Sequence, residues 1–403
     1  MRFILCEKYF FLDFTNVWFY ELKKSCAIEY TTLPFKIVSK LNHELKNNYF
    51  CIVNIHEKYI KRCIQLAKNG LGTTYPNPMV GSVIVYNDTI IGEGWHKKAG
   101  EPHAEVNAIN AVKDKSLLKK ATIYVSLEPC SHFGKTPPCC DLIIINEIPN
   151  VVVGTVDPNE KVAGKGIKKL LEAGKKVVIG VLEDECNELN KRFFTFHQQK
   201  RPYIILKWAT SKDGFLAPEK DNDVKLKREP IWITNIYSRQ LVHKWRSEEQ
   251  AILVGTQTVI DDNPKLNTRD WAGNNPVRVI LDQNNRIPQD SHIFNNDVKT
   301  IVFTKSKIAI EKENLIFEVI DFKENIIPQI LTVLYKHQIQ SIIIEGGLQT
   351  LQTFIDINLW DEGRFFVGDT YFTKGTKAPE FASKKSKTIY IGKDKLIQDR
   401  NHD

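Results

Sequence analysis

The alternation of apolar and polar residues becomes regular from Ile55 onward. Tyr59, Ile60, Cys63, Ile64 and Ala67 recur at helical spacing within Glu57–Asn69, and Gly70 is placed to end that helix. The runs Val80–Val85 and Thr89–Glu93 predict a hairpin turned at Asn87-Asp88. A helix over His103–Val112 and a strand over Thr122–Leu127 follow, then a loop rich in cysteine and proline. Beyond it come a helix over Cys140–Glu147, a strand Val151–Val156, a helix Lys165–Ala173 with Gly174 just past its end, and a strand Val177–Gly180. Strands alternating with helices predict a layered α/β domain. After the polar stretch His197–Lys200, strand-like runs resume at Pro202–Ala209 and continue at Ala251–Val254, Val277–Leu281, Thr300–Thr304 and Ser341–Ile344. These predict a second domain, with the boundary near residue 200. Residues 1–53 show no sustained period and stand as an unassigned extension, and no internal repeat is evident.

Composition narrows the class. The chain has 403 residues, enough for two cores, and its 42% hydrophobic and 26% charged fractions are those of a soluble globular protein. The net charge of +8 is spread among acidic residues, which suits an anionic small molecule at least as well as nucleic acid. The apolar stretch Phe3–Tyr20 is broken by Glu7, Lys8 and Asp13. It therefore lacks the roughly 20 uncharged residues of a membrane span, and it has no small-residue cleavage site. The expected setting is the cytoplasm, with the eight cysteines as thiols or metal ligands.

The chemistry concentrates in Pro102-His103-Ala104-Glu105 and in Glu128-Pro129-Cys130, with Cys139 nine residues on. One imidazole and two thiolates make three ligands, which is the donor number of a catalytic rather than a closed zinc site. Glu105, near the start of a helix, is placed to carry a proton from water to a leaving amine. This is the pattern of the zinc nucleobase deaminases, H-x-E followed by P-C-x-x-C, with eight residues here between the cysteines instead of two. The longer loop offers His132 and Lys135 as donors. A structural zinc site would need a fourth ligand, His132 or Cys140. The favoured reading of Cys140 is a packed thiol on the helix that Cys139 opens.

The stretches Pro76-Asn-Pro-Met-Val-Gly81, His103-Ala-Glu-Val106, Leu127-Glu-Pro-Cys-Ser-His132, Gly134-Lys-Thr-Pro-Pro-Cys-Cys-Asp141, Asp157-Pro-Asn159 and Val162-Ala-Gly-Lys-Gly166 together carry a resemblance. From Asn54 onward the chain resembles the bifunctional deaminase–reductases of riboflavin biosynthesis. The resemblance implies a cytidine-deaminase-like three-layer α/β/α domain over residues 54–199, followed by a dihydrofolate-reductase-like α/β domain over 200–403. It implies one zinc per deaminase site, held by His103, Cys130 and Cys139, with Glu105 catalytic and Asn77 binding substrate. The implied reactions are deamination of 2,5-diamino-6-(5-phosphoribosylamino)pyrimidin-4(3H)-one and then reduction of the ribosyl group by NADPH. Residues 1–53 have no counterpart in the family, so an upstream mis-assigned start is expected, with Val53 at the initiator position.

Read by itself the second half says less. Ser211-Lys-Asp-Gly214 signals a turn. Glu345-Gly-Gly347, between the strand Ser341–Ile344 and a helical stretch Leu348–Ile355, lets backbone N–H groups approach a phosphate, or merely allows tight packing. The resemblance places Ala209, Trp232, Thr258, Asp262 and Gly347-Leu348-Gln349-Thr350-Leu351-Gln352-Thr353 at cofactor positions. It places Arg246, Leu266, Arg269 and Glu345 at substrate positions, and the two arginines suit a phosphate. Pro230 stands where the family has a serine, and Lys220–Glu229 is unusually charged. The partner implied is a phosphorylated pyrimidine, with no nucleic acid and no membrane, and association of copies is compatible with either half. Two alternatives remain at this point: a deaminase that edits a base flipped from RNA or DNA, and a zinc-stabilised binding protein with a degenerate reductase half.

Overall fold

The computed structural model describes residues 17–19, 55–131, 133, 137–159, 163–219, 231–306, 312–382 and 386–401. The readings that concern the rest of the N-terminal extension with Val53, and His132, Lys135, Val162 and Lys220–Pro230, lie outside the described residues. The chain divides into two compact units, Met1–Phe194 and Thr195–Asp403.

The first unit opens with a short strand β1 (Val17–Phe19) and helix α1 (residues 55–67). α1 starts two residues before the expected point, and Gly70 does not end it. Gly70 is buried in a 3₁₀ turn, where a β-carbon would come within 2.8 Å of the His96 carbonyl oxygen, so close packing explains the glycine. The expected hairpin is β2 (Gly81–Tyr86) and β3 (Thr89–Trp95). Its two turn residues, Asn87 and Asp88, have φ of 46° and 55°, the left-handed pair that matches the twist of a tight hairpin. Then follow α2 (Ala104–Ala111), β4 (Thr122–Leu127), α3 (Cys139–Ile145), β5 (Asn150–Thr155), α4 (Lys165–Glu172), β6 (Lys176–Ile179) and α5 (Glu183–Leu189). The sheet order is β1-β6-β5-β4-β2-β3, with β4, β5, β6 and β1 parallel and the hairpin antiparallel.

Period-two alternation builds the layers. Ile123 and Val125 of β4, with Val151 and Val153 of β5, pack with α2, α3 and α4 through Ala108, Ile109, Ile143, Ile167 and Leu170. Tyr124 and Val152 point the other way, to Tyr59, Ile60, Cys63 and Ala67 of α1 and Leu189 of α5. Burying each large aliphatic side chain contributes about 1.5–3 kcal/mol. The result is the three-layer arrangement, with α2 and α3 on one face delivering their N-termini to the same place.

Helix α6 (Lys191–Gln199) carries the division between the units. The second unit then runs β7 (Tyr203–Thr210), β8 (Phe215–Pro218), α7 (Ile236–Glu248), β9 (Ala251–Gly255), α8 (Thr256–Asp262), β10 (Val277–Leu281), β11 (Thr300–Thr304) and β12 (Leu315–Val319). It closes with α9 (Ile326–Lys336), β13 (Ser341–Ile344), α10 (Leu348–Asp356), β14 (Glu362–Val367), β15 (Gly375–Lys377), β16 (Lys387–Ile391) and β17 (Asp394–Arg400). Nine strands form one sheet in the order β12-β11-β10-β9-β13-β7-β14-β17-β16, parallel as far as β14 and antiparallel after it. Ile204, Leu206, Leu253, Ile342 and Ile344 face one core, and Tyr203, Ile205, Ile252, Val254 and Ile343 face the other. The turn signal after β7 is a turn: the Ser211 N–H donates to the Phe215 carbonyl at 2.9 Å, and Gly214 has φ of 86°. Among the described residues no helix is long and apolar enough to cross a membrane.

Candidate active sites

His103 is the N-cap of α2, extended at φ −70° and ψ 167°, so its ring projects from the helix mouth while Glu105 enters the first turn. Cys139 opens α3. The His103 Nδ1 lies 3.6 Å from Cys130 Sγ and 3.3 Å from Cys139 Sγ, and the three ligand atoms all fall within 4.8 Å of one another. Tetrahedral zinc, with bonds of about 2.0–2.3 Å, separates its ligand atoms by about 3.5 Å. Donor type, number and spacing therefore fit the ion. The Cys139 thiol and then His103 pull the Cys130 thiol down to about 4, whereas proton sharing with Cys130 and burial push Cys139 up. Glu105 is 3% exposed, and burial raises its carboxyl to about 7 against the opposing pull of His103.

Cys140 stands apart from this cluster. Its Sγ donates to the Pro129 carbonyl at 3.2 Å, in keeping with a packed thiol. Three further features of this site carried no assigned role in the sequence reading. Glu128 is buried, and its two carboxylate oxygens accept from the N–H groups of Asp157 (3.3 Å), Gly164 (3.0 Å), Gly166 (2.9 Å) and Ile167 (3.2 Å). It thus ties the loop that bears Cys130 to the N-terminus of α4. Gly166 makes that approach feasible, since a β-carbon there would lie 2.1 Å from the Pro129 carbonyl oxygen. Buried His96 sits edge-on to His103, with centroids 5.3 Å apart. Its Nδ1 faces the Pro102 carbonyl at 3.2 Å, so its Nε2 accepts from Asn77 Nδ2 at 3.1 Å and fixes that amide's orientation. The signals were present in the sequence, as Glu128 beside Pro129-Cys130 and His96 shortly after a strand, but neither carries meaning until the strands are aligned.

In the second unit a cavity of about 1290 Å³ opens where β7, β9, β10 and β13 end. Ligands sit at such carboxyl edges of parallel strands. Arg246, Leu266, Arg269 and Glu345 line it, as do Ala209, Trp232, Thr258, Asp262, Gly347-Leu348-Gln349-Thr350-Leu351 and Thr353. Gln352 does not: it points away, donating to Asp356 at 2.6 Å and accepting from the Glu380 N–H at 2.8 Å. Gly347 caps α10 at φ 70°, which leaves the first N–H groups of that helix without a covering side chain. Lys207, absent from the sequence reading, bonds Glu345 Oε1, and Arg246 Nη2 reaches Glu345 Oε2 at 2.9 Å. Burial alone would raise the Glu345 carboxyl, but Arg246 and Lys207 hold it at about 2. Buried Leu266 is left-handed at φ 51°, a strained conformation that its surroundings must impose. The His243 Nδ1 accepts from the Arg269 N–H at 3.3 Å, and its Nε2 faces Asp270 Oδ2 at 3.2 Å. Burial, then Arg246 and Arg269, push this imidazole down to about 4.

Comparison with known proteins gives each unit its relatives. Residues 53–155 match the cytidine and deoxycytidylate deaminase zinc-binding region, and residues 202–379 match the RibD C-terminal domain. The riboflavin biosynthesis protein RibD of Aquifex aeolicus is 40% identical over 360 residues, which cover 86% of this chain and 98% of that one. The chain belongs to the RibD family. The RibD of Escherichia coli is 36% identical over 76% of this chain and 85% of its own length. A crystal structure from Thermotoga maritima, described as a diaminohydroxyphosphoribosylaminopyrimidine deaminase/5-amino-6-(5-phosphoribosylamino)uracil reductase, superposes with a TM-score of 0.76. It is 38% identical, covering 86% of this chain and 99% of that one. As a RibD, the chain is a bifunctional enzyme of riboflavin biosynthesis, with a zinc-dependent cytidine-deaminase-like domain followed by an NADPH-dependent reductase domain. That membership sets aside the editing deaminase and the binding protein.

Proposed function

We propose that this RibD removes the 2-amino group of 2,5-diamino-6-(5-phosphoribosylamino)pyrimidin-4(3H)-one and then reduces the ribosyl side chain, giving 5-amino-6-(5-phosphoribitylamino)uracil. The observation that carries this reading is the convergence of His103, Cys130 and Cys139 beside buried Glu105 at the mouths of α2 and α3. His103, Cys130 and Cys139 would hold zinc, which when bound makes water a nucleophile at neutral pH. Glu105 would take a proton from the water as its oxygen bonds to the carbon bearing the 2-amino group, and deliver it to the departing nitrogen as the C–N bond breaks and ammonia leaves. A carboxyl raised to about 7 is suited to doing both near neutrality. Asn77, oriented by His96, holds the pyrimidine with its side-chain oxygen.

In the reductase, bound NADPH would supply the hydride for the open-chain aldehyde carbon of the ribosyl group, whose oxygen takes a proton from solvent to become the hydroxyl. Cofactor contacts are assigned to Ala209, Trp232, Thr258, Asp262 and Gly347-Leu348-Gln349-Thr350-Leu351-Gln352-Thr353, of which Gln352 alone does not line the cavity. Arg246 and Arg269 clamp the phosphate, Leu266 packs on the substrate, and ionised Glu345 accepts from its hydroxyls. The deaminase domain is assigned to residues 54–199 and the reductase to 200–403, and of the residues before 54 Val17–Phe19 add strand β1 to the deaminase sheet. The enzyme works in the cytoplasm on a small phosphorylated pyrimidine, without nucleic acid.

The test is a coupled assay on purified, zinc-loaded protein with the diaminopyrimidinone phosphate. Ammonia release followed by NADPH oxidation is the expected result. Neither signal from protein with bound metal would overturn the substrate assignment.

A further inference from the structure

Arg269 lies on the segment after α8, and one face of α7 grips that segment at three levels. His243 meets the Arg269 N–H and Asp270, Arg246 Nη1 donates to the Asn267 carbonyl at 3.3 Å, and Ser247 packs on Gly273, where a β-carbon would come within 2.6 Å of the serine's own. Residues 243, 246 and 247 are neighbours on a helix surface, so the three contacts act as one strip. His243 is 3% exposed, and both its ring nitrogens are engaged by the same two consecutive residues. Asp270 Oδ2, which faces the imidazole, also lies 3.7 Å from Arg269 Nε. The histidine therefore controls both the backbone of Arg269 and the carboxylate beside its guanidinium. The same segment contains left-handed Leu266, a geometry that persists only while something holds it.

We infer that His243 is a positioning residue for the reductase: it latches the segment Leu266–Asp270 so that Arg269 faces the cavity alongside Arg246, ready for the substrate phosphate. The inference rests on the reading of Arg269 as a phosphate ligand. His243 itself does not line the cavity.

The experiment is steady-state reduction of 5-amino-6-(5-phosphoribosylamino)uracil by the full-length protein, with NADPH affinity measured separately by fluorescence. His243→Leu is expected to raise KM for the phosphorylated substrate on the order of tenfold, with kcat and NADPH affinity within about twofold of the parent. His243→Asn, whose Oδ1 can replace Nδ1 as acceptor for the Arg269 N–H, is expected to recover most of that loss. In an Arg269→Ala background His243→Leu is expected to add nothing further, because the latch acts only through that arginine. Additive effects, a loss confined to kcat, or an asparagine variant no better than leucine would overturn the latch. Parent protein that does not oxidise NADPH with this substrate would instead overturn the underlying assignment, and the latch with it.

Discussion

Glu105 and Glu345 are both shielded carboxylates, yet their surroundings drive them in opposite directions. Glu105 has burial working against its charge, and its pKa moves up to about 7. Glu345 lies between Lys207 and Arg246, whose attraction outweighs burial and holds it at about 2. The first is poised to exchange a proton and the second to stay charged. Glu105→Gln keeps the shape but cannot take a proton. It is expected to slow ammonia release by roughly 10²–10⁴-fold, with metal analysis showing zinc content unchanged. Loss of zinc in that variant would make Glu105 a structural group. These differences are invisible in the sequence, where each is a glutamate next to a small residue.

Among the elements, α4 and the loop bearing Cys130 depend on each other. Three N–H groups at the α4 N-terminus and that of Asp157 after β5 end on the Glu128 carboxylate, and Gly166 lets Pro129 come close. Glu128→Ala leaves those donors to find water in a closed space. It is expected to cost about 2 kcal/mol or more in urea unfolding of the zinc-free protein, and to lower zinc affinity in a chelator competition. Undiminished zinc affinity would mean the cysteine loop holds itself. The strand β14 shows why some elements escape a reading of the pattern. Glu362 and Arg364 break its apolar run, but they are buried as a pair, Arg364 Nε to Glu362 Oε1 at 2.7 Å, with the Tyr203 hydroxyl donating to Glu362 Oε2 at 3.2 Å. Polar residues paired in the interior look like surface residues in a sequence.

For the whole molecule, the two chemistries reside in separate compact units. Chelation of zinc is therefore expected to abolish ammonia release while NADPH oxidation with the deaminated intermediate continues. Loss of both activities would show that the reductase depends on the metal. The second unit also has a defined acid sensitivity. His243 is held near 4 against 6.5 unfolded, so its contribution to stability is complete above pH 6.5 and is lost as pH falls toward 4. Glu345 is held near 2 against 4.5 unfolded, so its contribution is complete above pH 4.5 and is lost as pH falls toward 2. Urea unfolding of this unit against pH should decline across both windows. His243→Asn is expected to reduce the decline across the upper one alone, what remains coming from His197, which burial also lowers.

The local pattern was sufficient for the hairpin at Asn87-Asp88, for strands such as β4, β5, β9 and β13, and for the cluster formed by His103, Cys130 and Cys139. These follow from backbone preference, from period-two burial and from ligand types that few other roles require. The pairing of His96 with Asn77, of Lys207 and Arg246 with Glu345, and of His243 with Arg269 was decided by the tertiary structure alone. Each joins residues from different elements, 19 to 138 positions apart. Lysine, arginine and histidine have the same appearance in a sequence whether water or a buried carboxylate faces them. Only strand order and helix packing determine which.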